Sequence, residues 1–401
     1  MTLMSSPAVL EVVVESSGLF PPLSGVGYYT RELLKAYAAL PGHFPVRLLA
    51  YRFFLKSGPG PQEDYLAGLA RELDGTLVLR RRPVPSSIYA RLRRLGLRPP
   101  IPLDLGRARD RRIYYFPNYV GEPLLRGRCV PVIYDFSHLR FPRSLQSRDH
   151  LYLRRYLPRT LKLASRVVVI SEWVRSELQR AYGTPAEKIS VIPPAVDSSV
   201  FKPDISPQLR RSVRKKYGLA GDYIFSLGTL EPRKNFPRLI EAYAMLPDSV
   251  RMQTALAIAG GPGWKNEDIF ETVRRRGLSS TVKFLGYISE GDRAPLMREA
   301  VLFALPALYE GFGMPVLEAM ACGTPVVTSD RGALPEVGGE AVVYADPLRP
   351  ESICQGLLSV IENPSLRARL SKAGMSRAAS FSWAASARAL AEVFARAAGE
   401  E

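Results

Sequence analysis

Short runs of β-branched and aromatic residues recur along the first half of the chain: VLEVVVES, VRLLAYRF, TLVLRR, IYYFP, VPVIYDF and RVVVIS. Several are separated by segments in which apolar residues return every three or four positions, as in GYYTRELLKAYAAL and EWVRSELQRAYG. Such alternation predicts strands joined by crossover helices, and hence a parallel sheet. The stretch VIPPAVDSSVFKPDISPQ, with prolines at 193, 194, 203 and 207, interrupts the pattern and reads as an interdomain linker. The alternation then restarts with YIFSLGT, ALAIAGG, VKFLGYI, AVLFALPA, PVVTS and AVVYADP. The predicted class is α/β, with two Rossmann-like, doubly wound parallel-sheet domains at 1–195 and 205–380. A final helix over 382–401 is expected to pack back across them and is counted with the first domain. Doubly wound sheets take ligands at the carboxyl ends of their strands, so the site is expected in the cleft that the two domains face.

Composition bounds this picture without changing it. A chain of 401 residues is too long for one ordinary core, and 46% hydrophobic residues is a globular share. No uncharged apolar run of about 18 residues predicts a membrane span. The N-terminal MTLMSSPAVLEVVVESSG lacks a basic leader, carries Glu11 and Glu15, and reads as a first strand. Cys129, Cys322 and Cys354 lack metal-ligand spacing and cannot all pair, which favours a reducing, cytoplasmic setting.

Charge is the unusual total: 55 Lys and Arg against 38 Asp and Glu give +17. The excess attracts polyanions, whether nucleic acid, nucleotide phosphates or an anionic membrane face, and selects none of them. Much of it falls in Arg80–Arg82, Arg91–Arg94, Arg107–Arg112 and Arg154–Arg155, mostly without the interleaved aromatics of an RNA-stacking surface. The segment RRRPVPSSIYARLRRLGLRPPIPL, residues 80–103, mixes Arg with Ile, Tyr and Leu. It could rest on an anionic membrane, or it is a solvated basic surface.

Three stretches carry candidate chemistry. In ALYEGFGMPVLEAMACGTPVV, Pro315 suits a first helical position and Gly323 a helix stop, which predicts a helix over 315–322. The turn Gly311–Met314 before it would offer backbone N–H groups to phosphate or sugar oxygens. Glu310 precedes that turn and Glu318 is expected in the first helical turn, where it either faces the same ligand or only complements the helix dipole. The two are not placed to share a proton. In SLGTLEPRKNFPRLIEAY, Arg233 and Lys234 follow a strand, where they suit a diphosphate or are exposed loop cations. In PLSGVGYYTRELL, Gly25 and Gly27 form either a ligand loop or a packing turn, and the third glycine of a dinucleotide fingerprint is absent.

Other signatures are missing. There is no D-x-D triplet, no phosphate loop ending in G-K-[ST], no H-E-x-x-H and no G-x-S-x-G. Of three histidines only His138 follows a central-type strand, and it serves either structure or chemistry.

The combination resembles the retaining glycosyltransferases of family 4, which have the two-Rossmann GT-B architecture, close to their mannosyltransferase-like branch. The resemblance rests on SGVGYYTRELL, VISEWVRSEL, VIPPAVD, GTLEPRKN and EGFGMPVLEAMACGTPVV, in that order, and spans nearly the whole chain. It implies that Glu310 bonds hydroxyls of the donor sugar and Glu318 holds the nucleotide ribose. Backbone from Phe312 through Gly313, Met314, Pro315 and Val316 to Leu317 would line sugar and diphosphate. Arg233 and Lys234 would neutralise the leaving diphosphate, Tyr287 and Ile288 would flank the base, and Gly25 and Gly27 would face the diphosphate or acceptor. Where many relatives carry His-Asp this chain has Tyr134-Asp135, with His138 three residues on. Some relatives place an Arg near Thr229, so the cationic task falls more heavily on Arg233 and Lys234.

The implied reaction moves a hexosyl group, mannosyl first, from a nucleotide-diphosphate sugar to a glycan or lipid-linked hydroxyl, as in polysaccharide or glycolipid biosynthesis. GDP-mannose is the first candidate donor, as substrate rather than cofactor, and no metal is required. Front-face substitution would rest on orientation, charge neutralisation and exclusion of water on domain closure. Alternatives are a same-fold sugar-nucleotide epimerase, a glycoside phosphorylase or, from another class, a basic nucleic-acid-binding protein. The expected setting is the cytoplasm or its membrane face, with no nucleic-acid partner.

Overall fold

The computed structural model describes residues 11–16, 18–19, 23–53, 61–82, 112–121, 128–142 and 147–399. The segment 83–111, with most of the proposed basic membrane patch, lies outside the described residues. The chain divides into two compact units. One comprises Met1–Tyr134, Arg148–Pro194 and Trp383–Glu401; the other comprises Asp135–Ser147 and Ala195–Ser382. The residues following the fifth strand thus group with the second unit, which a linear division at 195 does not anticipate.

Among the described residues the first unit carries seven strands: β1 (Glu11–Glu15), β2 (Val46–Phe53), β3 (Thr76–Arg82), β4 (Arg112–Phe116), β5 (Arg128–Ile133), β6 (Val167–Val169) and β7 (Ile189–Val191). They are ordered β3-β2-β1-β4-β5-β6-β7 and every pairing is parallel. Parallel sheets are covered on both faces, and β1, β4 and β5 are buried along nearly their whole length. The helix Gly25–Ala38 starts where Ser24 accepts a hydrogen bond from the Gly27 amide. It buries Tyr29, Thr30, Leu33, Leu34 and Tyr37, spaced three and four apart. Against it lies the C-terminal helix Trp383–Ala398, whose Phe394 meets the Tyr37 and Tyr115 rings edge-on at 5.3 and 5.6 Å.

Among the described residues the second unit has six strands: β8 (Asp222–Leu227), β9 (Thr254–Ala259), β10 (Val282–Gly286), β11 (Leu302–Leu305), β12 (Val326–Ser329) and β13 (Val343–Ala345). Their order, β10-β9-β8-β11-β12-β13, repeats the first six positions of the other sheet, again wholly parallel. Both sheets therefore reverse their winding beside their first strand, and in this unit the reversal lies between β8 and β11. That is the switch point at which open α/β sheets leave a crevice beyond the strand ends. Ile224, Leu239, Ile240, Tyr243, Leu256 and Leu302 centre its core. Among the described residues no helix is long and apolar enough to cross a membrane.

Candidate active site

The loops leaving β8 and β11 carry the polar cluster. After β8 the chain makes a single 3₁₀ turn, Pro232–Lys234, and Asn235 ends it in the left-handed region at φ 63°. Asn suits that conformation, and here its amide also donates to Pro306 O at 2.9 Å and Pro347 O at 2.7 Å. The Leu308 amide donates to Arg233 O at 2.9 Å. The two loops are thus joined by backbone and side-chain bonds, which fix Arg233 and Lys234 against the segment that carries Glu310.

Glu310 accepts from Lys234 Nζ at 2.6 Å on Oε1 and from an Arg233 guanidinium nitrogen at 2.9 Å on Oε2. The same Arg233 nitrogen donates to Tyr309 O at 2.9 Å, and the other terminal one to Glu231 Oε1 at 2.6 Å. Glu310, Lys234 and Glu231 are all buried. Burial alone would raise the Glu310 carboxyl, but the Arg233 and Lys234 charges outweigh it and hold the carboxyl below its usual range. Burial likewise works against the Arg233 cation, which Glu310, Glu231 and then Asp135 stabilise more strongly. Glu310 is therefore a fixed anion near neutral pH and a poor proton donor.

Asp135 accepts from the Ser137 amide at 2.9 Å and its hydroxyl at 2.7 Å, which opens the short helix Ser137–Arg140. The preceding Phe136 amide donates to the Tyr309 hydroxyl at 2.8 Å, tying this segment to the residue beside Glu310. His138, in that helix, is fully buried with its ring 5.8 Å from that of Phe136.

The helix expected over 315–322 runs Met314–Ala321. Its N-cap, Gly313, has φ 104°, a region open to glycine, and a Cβ there would lie 2.6 Å from Leu334 Cδ2. Starting at Met314 puts Glu318 beyond the first turn, which corrects the expected position and removes the dipole explanation for it. Glu318 is 1% exposed, and Val316, Leu317, Ala319 and Met320 on the same helix are buried as well. Oε1 accepts from Arg293 at 2.9 Å, and Oε2 has no hydrogen-bond partner among the described residues. Burial raises the Glu318 carboxyl by more than Arg293 offsets. Glu310 and Glu318 thus have different partners and opposite shifts, so they are not a proton-sharing dyad.

Residues 210–377 match the family model described as glycosyl transferases group 1, and residues 23–200 match the one described as glycosyltransferase family 4. The chain is 32% identical over 379 residues to the O-antigen chain mannosyltransferase B of Escherichia coli, covering 93% of this chain and 96% of that one. The chain belongs to glycosyltransferase family 4. A shorter match, 31% over 218 residues, joins it to the mannosylfructose-phosphate synthase of Agrobacterium fabrum, covering 52% of this chain and 48% of that one. Among solved structures, Anabaena HepE in complex with UDP and glucose aligns at a TM-score of 0.71 and 20% identity, over 96% of this chain and all of that one. WaaG, a glycosyltransferase of lipopolysaccharide biosynthesis, aligns at 0.68 and 20% identity, over 96% and 99%. These likenesses give the family 4 enzyme its GT-B architecture.

The remaining family positions fall as follows. Phe312 is buried, with its ring edge-on to Phe381 at 5.6 Å, and Val316 and Leu317 bury their side chains, so this turn offers a ligand backbone rather than side chains. Met314 and Pro315 are half-buried. Thr229 is exposed in the β8 loop. Beyond β10, Tyr287 is 64% exposed and Ile288 buried, and neither is hydrogen-bonded into the Glu310 cluster. In the first unit, a Cβ on Gly27 would lie 2.4 Å from Gly18 O, so Gly27 is required for packing, whereas Gly25 has open space. Tyr134 also belongs to that unit: its hydroxyl donates to Pro117 O at 2.8 Å and lies 3.4 Å from Thr30 Oγ1. Its polar tip is thus engaged within the first unit.

Sequence reasoning assigned no role to Glu231, Asn235, Tyr309 or Arg293. The first two lie within the EPRKN stretch already singled out; Arg293, in EGDRAPLMRE, stands among ordinary surface-like charges with no spacing to mark it.

Proposed function

We propose that this glycosyltransferase moves a hexosyl group, mannosyl first, from a nucleotide-diphosphate sugar to a hydroxyl of a glycan or lipid-linked acceptor, with retention at the anomeric carbon. The observation that carries the reading is the Lys234–Glu310–Arg233 cluster beyond β8 and β11, where a doubly wound sheet takes its ligand. Glu310 would bond the donor sugar's hydroxyls and Glu318 its ribose, with the backbone of 312–317 along the diphosphate. Lys234, attached through a single contact to Glu310, would turn to the diphosphate, with Arg233 behind it. Tyr287 and Ile288 would flank the base, and Gly25 would offer open backbone to diphosphate or acceptor.

The chemistry follows from what Glu310 is. A carboxylate held by two cations is a poor nucleophile, which favours substitution on a single face of the sugar. The bond from the anomeric carbon to the diphosphate oxygen breaks, the acceptor oxygen bonds the same face, and the acceptor proton passes to the leaving phosphate oxygen. The products are a glycoside and a nucleoside diphosphate. Charge neutralisation falls to Lys234 and Arg233, and no metal ion is invoked, so transfer should survive exhaustive chelation.

The mannosyl group is supported by the name of the Escherichia coli relative and GDP-mannose is the first donor on that ground. Thermal shifts with GDP-, UDP- and ADP-sugars test the donor. Product analysis with a labelled donor tests the reaction: transfer supports it, whereas an epimerised donor or a sugar phosphate points to the same-fold epimerase or phosphorylase.

A membrane-borne acceptor is supported by the helix Ser147–Leu163. It buries Tyr156, Leu157, Thr160 and Leu161 and exposes Leu151, Arg154, Arg155, Arg159, Lys162 and Leu163, with no acid between His150 and Leu163. Such a face complements an anionic bilayer. Co-sedimentation with vesicles containing acidic lipid, lost for Arg154→Glu/Arg155→Glu, tests it; binding independent of acidic lipid would count against it.

A further inference from the structure

We propose that Arg293 is a positioning residue for the donor: it holds one oxygen of Glu318 so that the other is presented to the hydroxyls of the donor's ribose. The proposal rests on the reading that Glu318 meets the ribose, and it adds the residue that makes Glu318 fit for that role.

A carboxylate that is only 1% exposed is costly unless its lone pairs are used. Arginine can satisfy both oxygens of a carboxylate through its planar fork. Here the hydrogen bond described between the pair runs to Oε1 alone, from an arginine on another element, the helix Glu290–Glu299. Oε2 is left buried and unpartnered. In native structures such an atom calls for an explanation, and a ligand hydroxyl supplies one. A ribose offers two adjacent O–H donors, which a carboxylate oxygen with two lone pairs can receive. Arg293 is itself steadied, its guanidinium lying 6.0 Å from the centre of the buried Phe201 ring.

The charges facing Glu318 act in one pattern. Burial is the largest influence and favours the neutral acid; Arg293 opposes it, and Glu290 adds to it. Cys322, at the end of the same helix, is buried and its thiol is pushed up to about 12, so it contributes no charge near neutrality. Arg293 is thus the group that keeps Glu318 available as an acceptor.

The test uses the whole 401-residue chain and GDP, UDP and ADP, each with its 2′,3′-dideoxy counterpart, measured by calorimetry. For the nucleotide that binds best, removal of the ribose hydroxyls should weaken wild-type binding by about ten- to a hundredfold, as expected for bonds to a charged acceptor. Arg293→Gln should lose most of that discrimination, raise the donor KM about tenfold or more and change kcat far less, with binding weakening further as pH falls. Arg293→Lys should recover part of it. If Arg293→Gln does not fold, Glu318→Gln and the double variant replace it, and these two should discriminate equally poorly. A wild type indifferent to the ribose hydroxyls would overturn the ribose reading of Glu318. A wild type that discriminates, beside an Arg293→Gln or a double variant that discriminates as strongly, would overturn the role of Arg293 alone.

Discussion

Lys234 Nζ lies 2.6 Å from Glu310 Oε1, a contact between residues 76 positions apart that depends on β8 and β11 being neighbours in the sheet. With Arg233 on the other oxygen, it makes Glu310 the centre of a charged cluster rather than an isolated loop acid.

Removing either side of the cluster should separate catalysis from folding. Lys234→Ala leaves Glu310 paired with Arg233, so the fold should survive while transfer falls by about 10²–10³-fold, the effect of losing one preorganised electrostatic group. Glu310→Ala strands Lys234 while Arg233 keeps Glu231 and Tyr309 O, and should lose transfer to a similar extent with a stability cost of up to about 3–5 kcal/mol. Urea unfolding beside a transfer assay checks both; near-wild-type transfer by both variants would sink the site assignment.

Asn235 should control both stability and activity. Asn235→Ala removes two buried bonds, to Pro306 O and Pro347 O, and places a non-glycine side chain at φ 63° without the local compensation of Asn. A loss of about 2–4 kcal/mol is expected from the two unsatisfied carbonyls. Because Asn235 adjoins Lys234, kcat should drop even where the variant is fully folded. Unchanged kcat in folded protein would separate the two loops' structure from catalysis.

The first glycine loop yields a contrast. Gly27→Ala would put a methyl 2.4 Å from Gly18 O and should destabilise by about 1–3 kcal/mol, as overpacking does. Gly25→Ala has open space and should leave the melting temperature almost unchanged. Any loss of transfer in Gly25→Ala would then report ligand contact rather than packing.

The two glutamates should affect acid stability in opposite directions. Glu310 is depressed in the native state, so its contribution is complete above the unfolded-state value and is lost as pH falls through the folded one. Glu318 is raised, so its contribution is complete below the unfolded value and declines as pH climbs through the folded one. Unfolding free energies measured on both sides of the unfolded-state value, about pH 4.3, should show that Glu318→Gln removes the decline as pH rises above it, the Glu310 gain lying below it. Glu310→Gln should remove the gain. Parallel profiles for wild type and Glu318→Gln would contradict the raised carboxyl.

Much of this was legible in one dimension. Apolar alternation located twelve of the thirteen strands among the described residues, because buried parallel strands are continuous β-branched runs. The exception, β7, is only Ile-Ser-Val and runs into Ile192 and Pro193, so it merged with the proline-rich stretch. The helix Ser147–Leu163 was hidden by its internal Pro158. Pro207, read as linker, begins a helix capped by Ser206 instead.

The sequence alone determined the residue types, their order and the helical period that put Glu318 on a helix after a glycine turn. Local preferences suffice for that, since strand and helix periods depend on neighbours a few positions away. Only the tertiary structure decided which charge answers which. It paired Glu310 with Lys234 and Arg233 through the β8–β11 adjacency, and it brought Arg293 to Glu318 from another helix. Burial pushes both carboxyls up; the two cations on Glu310 outweigh it and the single Arg293 on Glu318 does not, so the cations packed against each group, not its neighbours in sequence, set the opposite shifts.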